Sequence, residues 1–188
     1  IREKYCIPAD KIVITCGHNA GEAHQHIEMI EALNQLPQNI KSKIVCVLPM
    51  TYPEGKSKYI DSVKIKLEES DLEYIVLTQF MSFQQMAEYA LISDVMIHVQ
   101  KTDQLSSAML EQMYAGSIVI AGKWLPYKSL HDLGIFFLDV GNIADLATVV
   151  YNVVINLKKY KDKCMNNRDI IWKNSSWEEL AYKWHALW

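Results

Sequence analysis

Apolar residues along the chain recur in two rhythms that take turns. Short runs rich in β-branched residues occupy 11–16, 43–48, 72–77, 95–99 and 118–121, and a sixth spans 135–138. Runs of this length bounded by turn formers predict strands. Between them the apolar spacing lengthens to that of a helix face. Ile27, Ile30, Leu33 and Leu36 keep it over 23–36, and residues 58–70 repeat it with a charged outer side. Ser82 and Gln85 have capping-box form and predict a helix to about residue 92. A further helix is expected to start at an N-cap at Ser106 or Ser107, and one long helix to span 143–160. Strand and helix alternating in this way predict βαβ units and an α/β fold. The expected core is a doubly wound, mostly parallel sheet of about six strands, Rossmann-like. Ligands bind such sheets beyond the carboxyl ends of the strands, which puts the loops after Cys16, Leu48, Leu77 and Val99 on one rim.

Composition narrows the picture a little. The 188 residues suit one domain, with C-terminal helices from about residue 161, or one half of a two-domain protein. A net charge of −3 argues against general nucleic-acid binding. Cys6, Cys16, Cys46 and Cys164 show no C-x-x-C pair and are expected to be buried free thiols in a reducing compartment. No apolar run reaches the roughly 18 residues of a membrane span, and no leader peptide is read. His24 and His26 stand two apart, so one helix would turn them to different faces. They are expected to be solvated, with no metal between them.

The chemistry concentrates in residues 103–116, Asp-Gln-Leu-Ser-Ser-Ala-Met-Leu-Glu-Gln-Met-Tyr-Ala-Gly. A strand empties into a loop carrying Asp103, a helix starts near Ser106 and Ser107, and Glu111 follows about one turn in. Free amides at a helix start suit a phosphate, and flanking carboxylates can accept hydrogen bonds from sugar and ribose hydroxyls. Gly17 and Gly21 around the first strand-to-helix turn do not form G-x-G-x-x-G, which removes the main support for a nicotinamide or flavin cofactor.

The spacing Asp103-x7-Glu111 with Met113-Tyr114-Ala115-Gly116 resembles the acid-x7-Glu signature of GT-B glycosyltransferases, in their C-terminal, donor-binding domain. Asp103 stands where that family usually has Glu, and Gln104-Leu105 where Phe-Gly is common. Residues 116–120 are similar to the family's next strand, and Ile1 to Asp10 resemble the entry into its second domain. Pro49-Met50-Thr51-Tyr52-Pro53 with Tyr59-Ile60 is similar to a segment of bacterial transferases of 4-acetamido-4,6-dideoxygalactose. The resemblance implies half of a GT-B fold that binds a nucleotide-diphosphate sugar as substrate, with no cofactor and no metal. It implies Asp103 and Glu111 as the acids, on donor-sugar hydroxyls and ribose. Gly17, His18, Asn19, Ser106 and Ser107 would serve the diphosphate, and Gln79 and Phe80 the base. The family's usual Arg and Lys after the first loop are missing, so Lys101 and Lys123 are the substitutes it leaves. Its implied partners are an N-terminal acceptor-binding domain and a lipid-linked or saccharide acceptor. The implied location is cytoplasmic, with any attachment to the inner face of the plasma membrane made through that other domain. In the family the last helix crosses back to the N-terminal domain, and Trp177, Leu180, Trp184 and Trp188 would lie on one face of it. Packing against the chain's own sheet is the other reading. Two further functions stay open: a non-hydrolysing nucleotide-sugar epimerase of the same architecture, and a receiver-like interaction module. The second expects acids at the end of the first strand, where Cys16-Gly17-His18 offers none.

Overall fold

The computed structural model describes residues 1–185. Among these, six strands form one parallel sheet: β1 (Ile12–Cys16), β2 (Ile44–Pro49), β3 (Tyr74–Leu77), β4 (Val95–His98), β5 (Ile118–Gly122) and β6 (Leu138–Val140). Their spatial order is β3-β2-β1-β4-β5-β6, the doubly wound arrangement. The winding reverses between β1 and β4, where Thr15 pairs with Met96. The helices are α1 (His26–Asn34), α2 (Gln38–Lys41), α3 (Ser57–Glu68), α4 (Phe83–Ile92), α5 (Ser107–Tyr114), α6 (Lys128–Asp132), α7 (Leu146–Ile155), α8 (Leu157–Lys163), α9 (Asn167–Ser175) and α10 (Trp177–His185).

Both sheet faces are covered, which is why the strands read as nearly unbroken apolar runs. Ile14, Cys16, Cys46, Leu48, Ile97 and Ile120 face α1, α3 and α7 through Met29, Leu33, Leu67 and Val150. On the other side Met96 and Val119 pack on Met109 and Met113 of α5, and Val13 and Val47 on Tyr89 of α4. Cys16, Cys46 and Cys164 are buried free thiols, whereas Cys6, expected inside, is exposed.

Three element boundaries differ from the sequence reading, each for a local reason. The helix expected over 23–36 begins only at His26, because Gln25 takes a left-handed conformation (φ 62°) and its side-chain amide donates to Val99 O at 2.5 Å. The sixth strand lies at Leu138–Val140, not at 135–138. Ile135 and Phe137 are buried there, but the backbone of Phe136 is bonded on both sides by the Asn167 amide, at 2.8 and 2.7 Å, in place of a strand ladder. The helix expected over 143–160 breaks at Asn156 (φ −123°), whose side chain donates to Asn152 O and competes with the helical ladder. Three helices follow the break, the first starting at Leu157, not near 161. On the last of them Trp177 is exposed; Trp188 lies outside the described residues, as does the side chain of Trp184.

The amino ends of the strands are tied together by one carboxylate. Asp94 Oδ2 accepts from Arg2 at 2.6 Å and from the Val13 amide at 3.0 Å, and Lys161 stands 3.7 Å from its other oxygen. Arg2 also donates to Lys11 O, and Lys161 to Gly116 O at the end of α5.

Candidate functional site

A solvent-open cleft of about 620 Å³ sits beyond the carboxyl ends of β1 and β4, at the point where the winding reverses. Three loops and two helices wall it, with Met86, Tyr89 and Ala90 coming from α4. The loop after β1 gives Gly17 and His18, the loop after β2 gives Thr51 and Tyr52, the loop after β3 gives Phe80 and Met81, and α5 gives Ala108, Glu111 and Gln112. Ser106 is the N-cap of α5: its Oγ accepts from the Met109 amide at 3.2 Å. The first-turn amides beyond it have no carbonyl one turn back to bond, so the Ala108 wall carries the partial positive charge of a helix start. The Glu111 carboxylate makes no hydrogen bond or ion pair among the described residues, and desolvation raises it above the usual range. Phe80 stands at the rim, 82% exposed, and Phe83 beside it is 91% exposed. Phe80 is therefore no part of the core.

Behind His18 lies a feature the sequence reading missed. His24 and His26, expected in solvent, are buried at 3% and 0% exposure, and His98 at the end of β4 is fully buried. The four rings form one cluster. His18 meets His24 edge-on at 4.3 Å and stacks on His98 at 5.8 Å, and His24 lies 5.6 Å from His26. The cluster forms because the first loop folds back over its own strand end, with Ala20 N donating to Tyr52 O and Lys101 N to Ala23 O. Four ring nitrogens are buried without a partner: Nδ1 of His18, His24 and His98, and Nε2 of His26. Burial, and then the neighbouring rings, pull His18 and His26 down to about 4 and His24 to about 2. The rings are neutral at pH 7. Among the described residues, no group of three or more His, Cys, Asp or Glu is arranged to hold a metal ion.

His98 joins this cluster to Asp103. Its Nε2 lies 2.8 Å from the Tyr127 hydroxyl and 3.2 Å from Asp103 Oδ2, and the Tyr127 hydroxyl donates to the same oxygen. A carboxylate only accepts, so Nε2 carries the hydrogen and Nδ1 the unpaired lone pair. Burial lowers the His98 pKa despite Asp103, so their contact is a hydrogen bond between a neutral ring and a carboxylate. Burial alone would raise Asp103; bonds from Tyr127, His98 and the Gln104 amide outweigh it and hold the carboxyl below its usual range. Tyr127→Phe removes the shared hydroxyl and should cost about 1–3 kcal/mol of stability. Chemical denaturation reads this, and an unchanged midpoint would mean that the hydroxyl adds nothing beyond its bonds to water.

In sequence, the chain matches no family model and no curated protein. In structure it is similar to sucrose-phosphate synthase from Thermosynechococcus elongatus (TM-score 0.81, 16% identity, covering 99% of this chain and 47% of that one). It is also similar to Anabaena HepE in complex with UDP and glucose (0.80, 16%, 98% and 51%). A third match is the C-terminal domain of a group 1 glycosyl transferase, LpcC, from Francisella tularensis (0.73, 16%, 90% and 88%). The chain has the fold of a GT-B C-terminal domain. It spans about half the length of the first two relatives, as one half of a GT-B fold does.

On this GT-B half the residues singled out in the sequence divide into two groups. Gly17, His18, Phe80 and Glu111 line the cleft together. Asn19 does not; its side-chain oxygen accepts from the Gly21 amide at 2.7 Å and closes the turn. Gln79, Ser107, Lys101 and Lys123 are exposed outside the lining, and Ser106 is buried in its capping role. Asp103 stands behind the cleft wall, bonded to Tyr127 and His98. Tyr52 and Thr51, from the segment similar to the dideoxygalactose transferases, do wall the cleft.

Proposed function

We propose that the chain is the donor-binding half of a glycosyltransferase and grips a nucleotide-diphosphate sugar in the cleft at the β1/β4 reversal. One observation carries this reading: an unspent carboxylate, Glu111, faces the cleft one turn into a helix whose free first-turn amides share the same wall. The amides receive phosphate, and Glu111 accepts from a ribose hydroxyl. Phe80 and Met81 at the rim offer apolar surface to a base. Asp103, behind the cleft wall, holds His98 against the ring of His18. Catalytic help from this half is electrostatic, easing charge on the departing diphosphate. HepE, which shares the fold, was solved with UDP-glucose as well as UDP.

The finer parts of the proposal follow from the resemblance. An N-terminal half supplies the acceptor site, and the acceptor is a saccharide or a lipid-linked one. The product enters polysaccharide or glycolipid synthesis at the cytoplasmic side of a membrane, and no cofactor or metal takes part. Among the described residues no helix is long and apolar enough to cross a membrane. The half alone transfers little.

Titration calorimetry with UDP-, GDP- and dTDP-sugars tests the core of this reading. Glu111→Gln should weaken the sugar nucleotide that binds by roughly 10- to 100-fold, the worth of a charge-assisted bond. Equal affinity in wild type and variant rejects Glu111 as a ligand contact.

A further inference from the structure

A diphosphate diester brought into the cleft carries two negative charges, yet among the described residues neither Lys nor Arg lines it. The charged residue of the wall is the Glu111 carboxylate. Helix amides alone compensate poorly for an anion desolvated beside a carboxylate. His18 is the lining group able to supply positive charge. Its Nδ1 is shut away without a partner, which leaves Nε2 as the nitrogen open to the cleft. The His98 ring stacks behind it with planes 16° apart, and His98 in turn bonds Asp103.

We propose that His18 is the phosphate-contacting residue of this cleft, and that it takes up a proton from solvent when the diphosphate of a nucleotide sugar binds. Asp103, reached through His98, balances the added charge. The inference rests on the donor-binding reading and deepens it.

The titratable groups around His18 come from several elements, with Tyr52 of the loop after β2 and Tyr89 of α4 sharing its cleft. They include His98 of β4, His24 of the short turn before α1, and His26 of α1 with Tyr59 of α3 beyond it. Asp103 in the loop after β4 and Tyr127 before α6 stand behind His98, and Glu111 of α5 shares the cleft. Without an anion, burial and the His98 ring keep His18 neutral, while Asp103 already favours the cation. A phosphate oxygen within about 4 Å raises the ring's proton affinity roughly a thousandfold at the effective dielectric of a partly buried site. That lifts a value of about 4 to near neutrality. The bound imidazolium has N–H groups at both nitrogens, with Nε2 donating to the phosphate.

The test is calorimetry of the whole chain with UDP-glucose, GDP-mannose and dTDP-glucose, whose diphosphate diesters do not themselves titrate near neutrality. Each titration is run in two buffers of different ionisation enthalpy, at pH values from about 6 to about 8. For the sugar nucleotide that binds, uptake of about half a proton is expected near pH 7, approaching one proton near pH 6. Its affinity should fall by up to about tenfold per pH unit as pH rises. His18→Gln should abolish the uptake and flatten the pH profile, and His18→Lys should restore affinity with no uptake. A merely structural histidine would change neither the proton count nor the profile, and melting curves confirm that both variants fold. Binding with no proton uptake and a flat profile overturns the inference and leaves the donor-binding reading standing. Full uptake retained in His18→Gln also overturns it. Failure of all three sugar nucleotides to bind at any pH overturns both.

Discussion

Lowering the pH from about 7 to about 5 should strip the chain of most of its stability. His18, His24 and His26 titrate in the folded state near 4, 2 and 4, against an ordinary value of 6.5. Between those values the unfolded chain binds protons that the folded chain refuses. Stability is therefore complete above pH 6.5 and drains away as pH falls toward the folded values. The loss is about 1.4 kcal/mol per pH unit for each ring, or roughly 6 kcal/mol for the three at pH 5. A typical domain holds only about 5–15 kcal/mol in all. His98 is lowered as well and adds to the loss. Asp103 acts in the same direction, but only at lower pH. Glu111, whose carboxyl is raised, works the other way, as a single and exposed group. Urea unfolding at half-unit pH steps measures the effect. A midpoint that stays level from pH 7 to 5 would show that the rings reach water or move apart when charged.

The second large effect should come from one methyl group at Gly17. This residue has φ 66°, and a Cβ built on it would lie 2.8 Å from His26 Nε2 and 3.3 Å from His24 Cβ and Cγ. The left-handed backbone costs a side chain about 1–2 kcal/mol. Overpacking against rings that are themselves enclosed adds about 1–3 kcal/mol. Gly17→Ala should thus lose roughly 2–5 kcal/mol. Gly116 makes a useful control: its φ is 96°, but nothing lies within 4 Å of a Cβ there. Gly116→Ala should show the backbone part alone, and the difference between the variants measures the packing around the rings. Equal losses at the two positions would rule out a rigid cluster under Gly17.

The sheet was legible because its residues carry their own signal. Five of the six strands lie within one or two residues of the apolar runs that predicted them, since burial on both faces leaves no polar residue to blur a run. The sixth was misplaced because Ile135 and Phe137 are buried by the helices α5, α6 and α9, and hydrophobicity does not say which neighbour does the burying. The N-cap at Ser106 and the capping box at Ser82 were readable for the same local reason. The histidine cluster was not, because it depends on which strands touch. His18, His24 and His26 follow β1, and His98 ends β4, some 70 residues later. Only the order β2-β1-β4 makes those ends neighbours. Four of the six histidines near the carboxyl ends of two strands was a usable hint, given that a doubly wound sheet sets its first and fourth strands side by side. Tyr127 gave no hint at all, since its hydroxyl reaches His98 across 29 positions in sequence.

Asp94 fastens β1, the segment before it and α8 at the end of the sheet farthest from the cleft. Anchorage and recognition are thereby placed on opposite edges of the same strands. The rim segments around Tyr52 and Phe80 can be rewritten, or grafted from another chain, without disturbing that ionic knot. The loop after β1 has no such freedom, because its histidines are both wall and foundation. Diversification of ligand preference on this scaffold would accordingly concentrate after β2 and β3, while the first loop stays fixed.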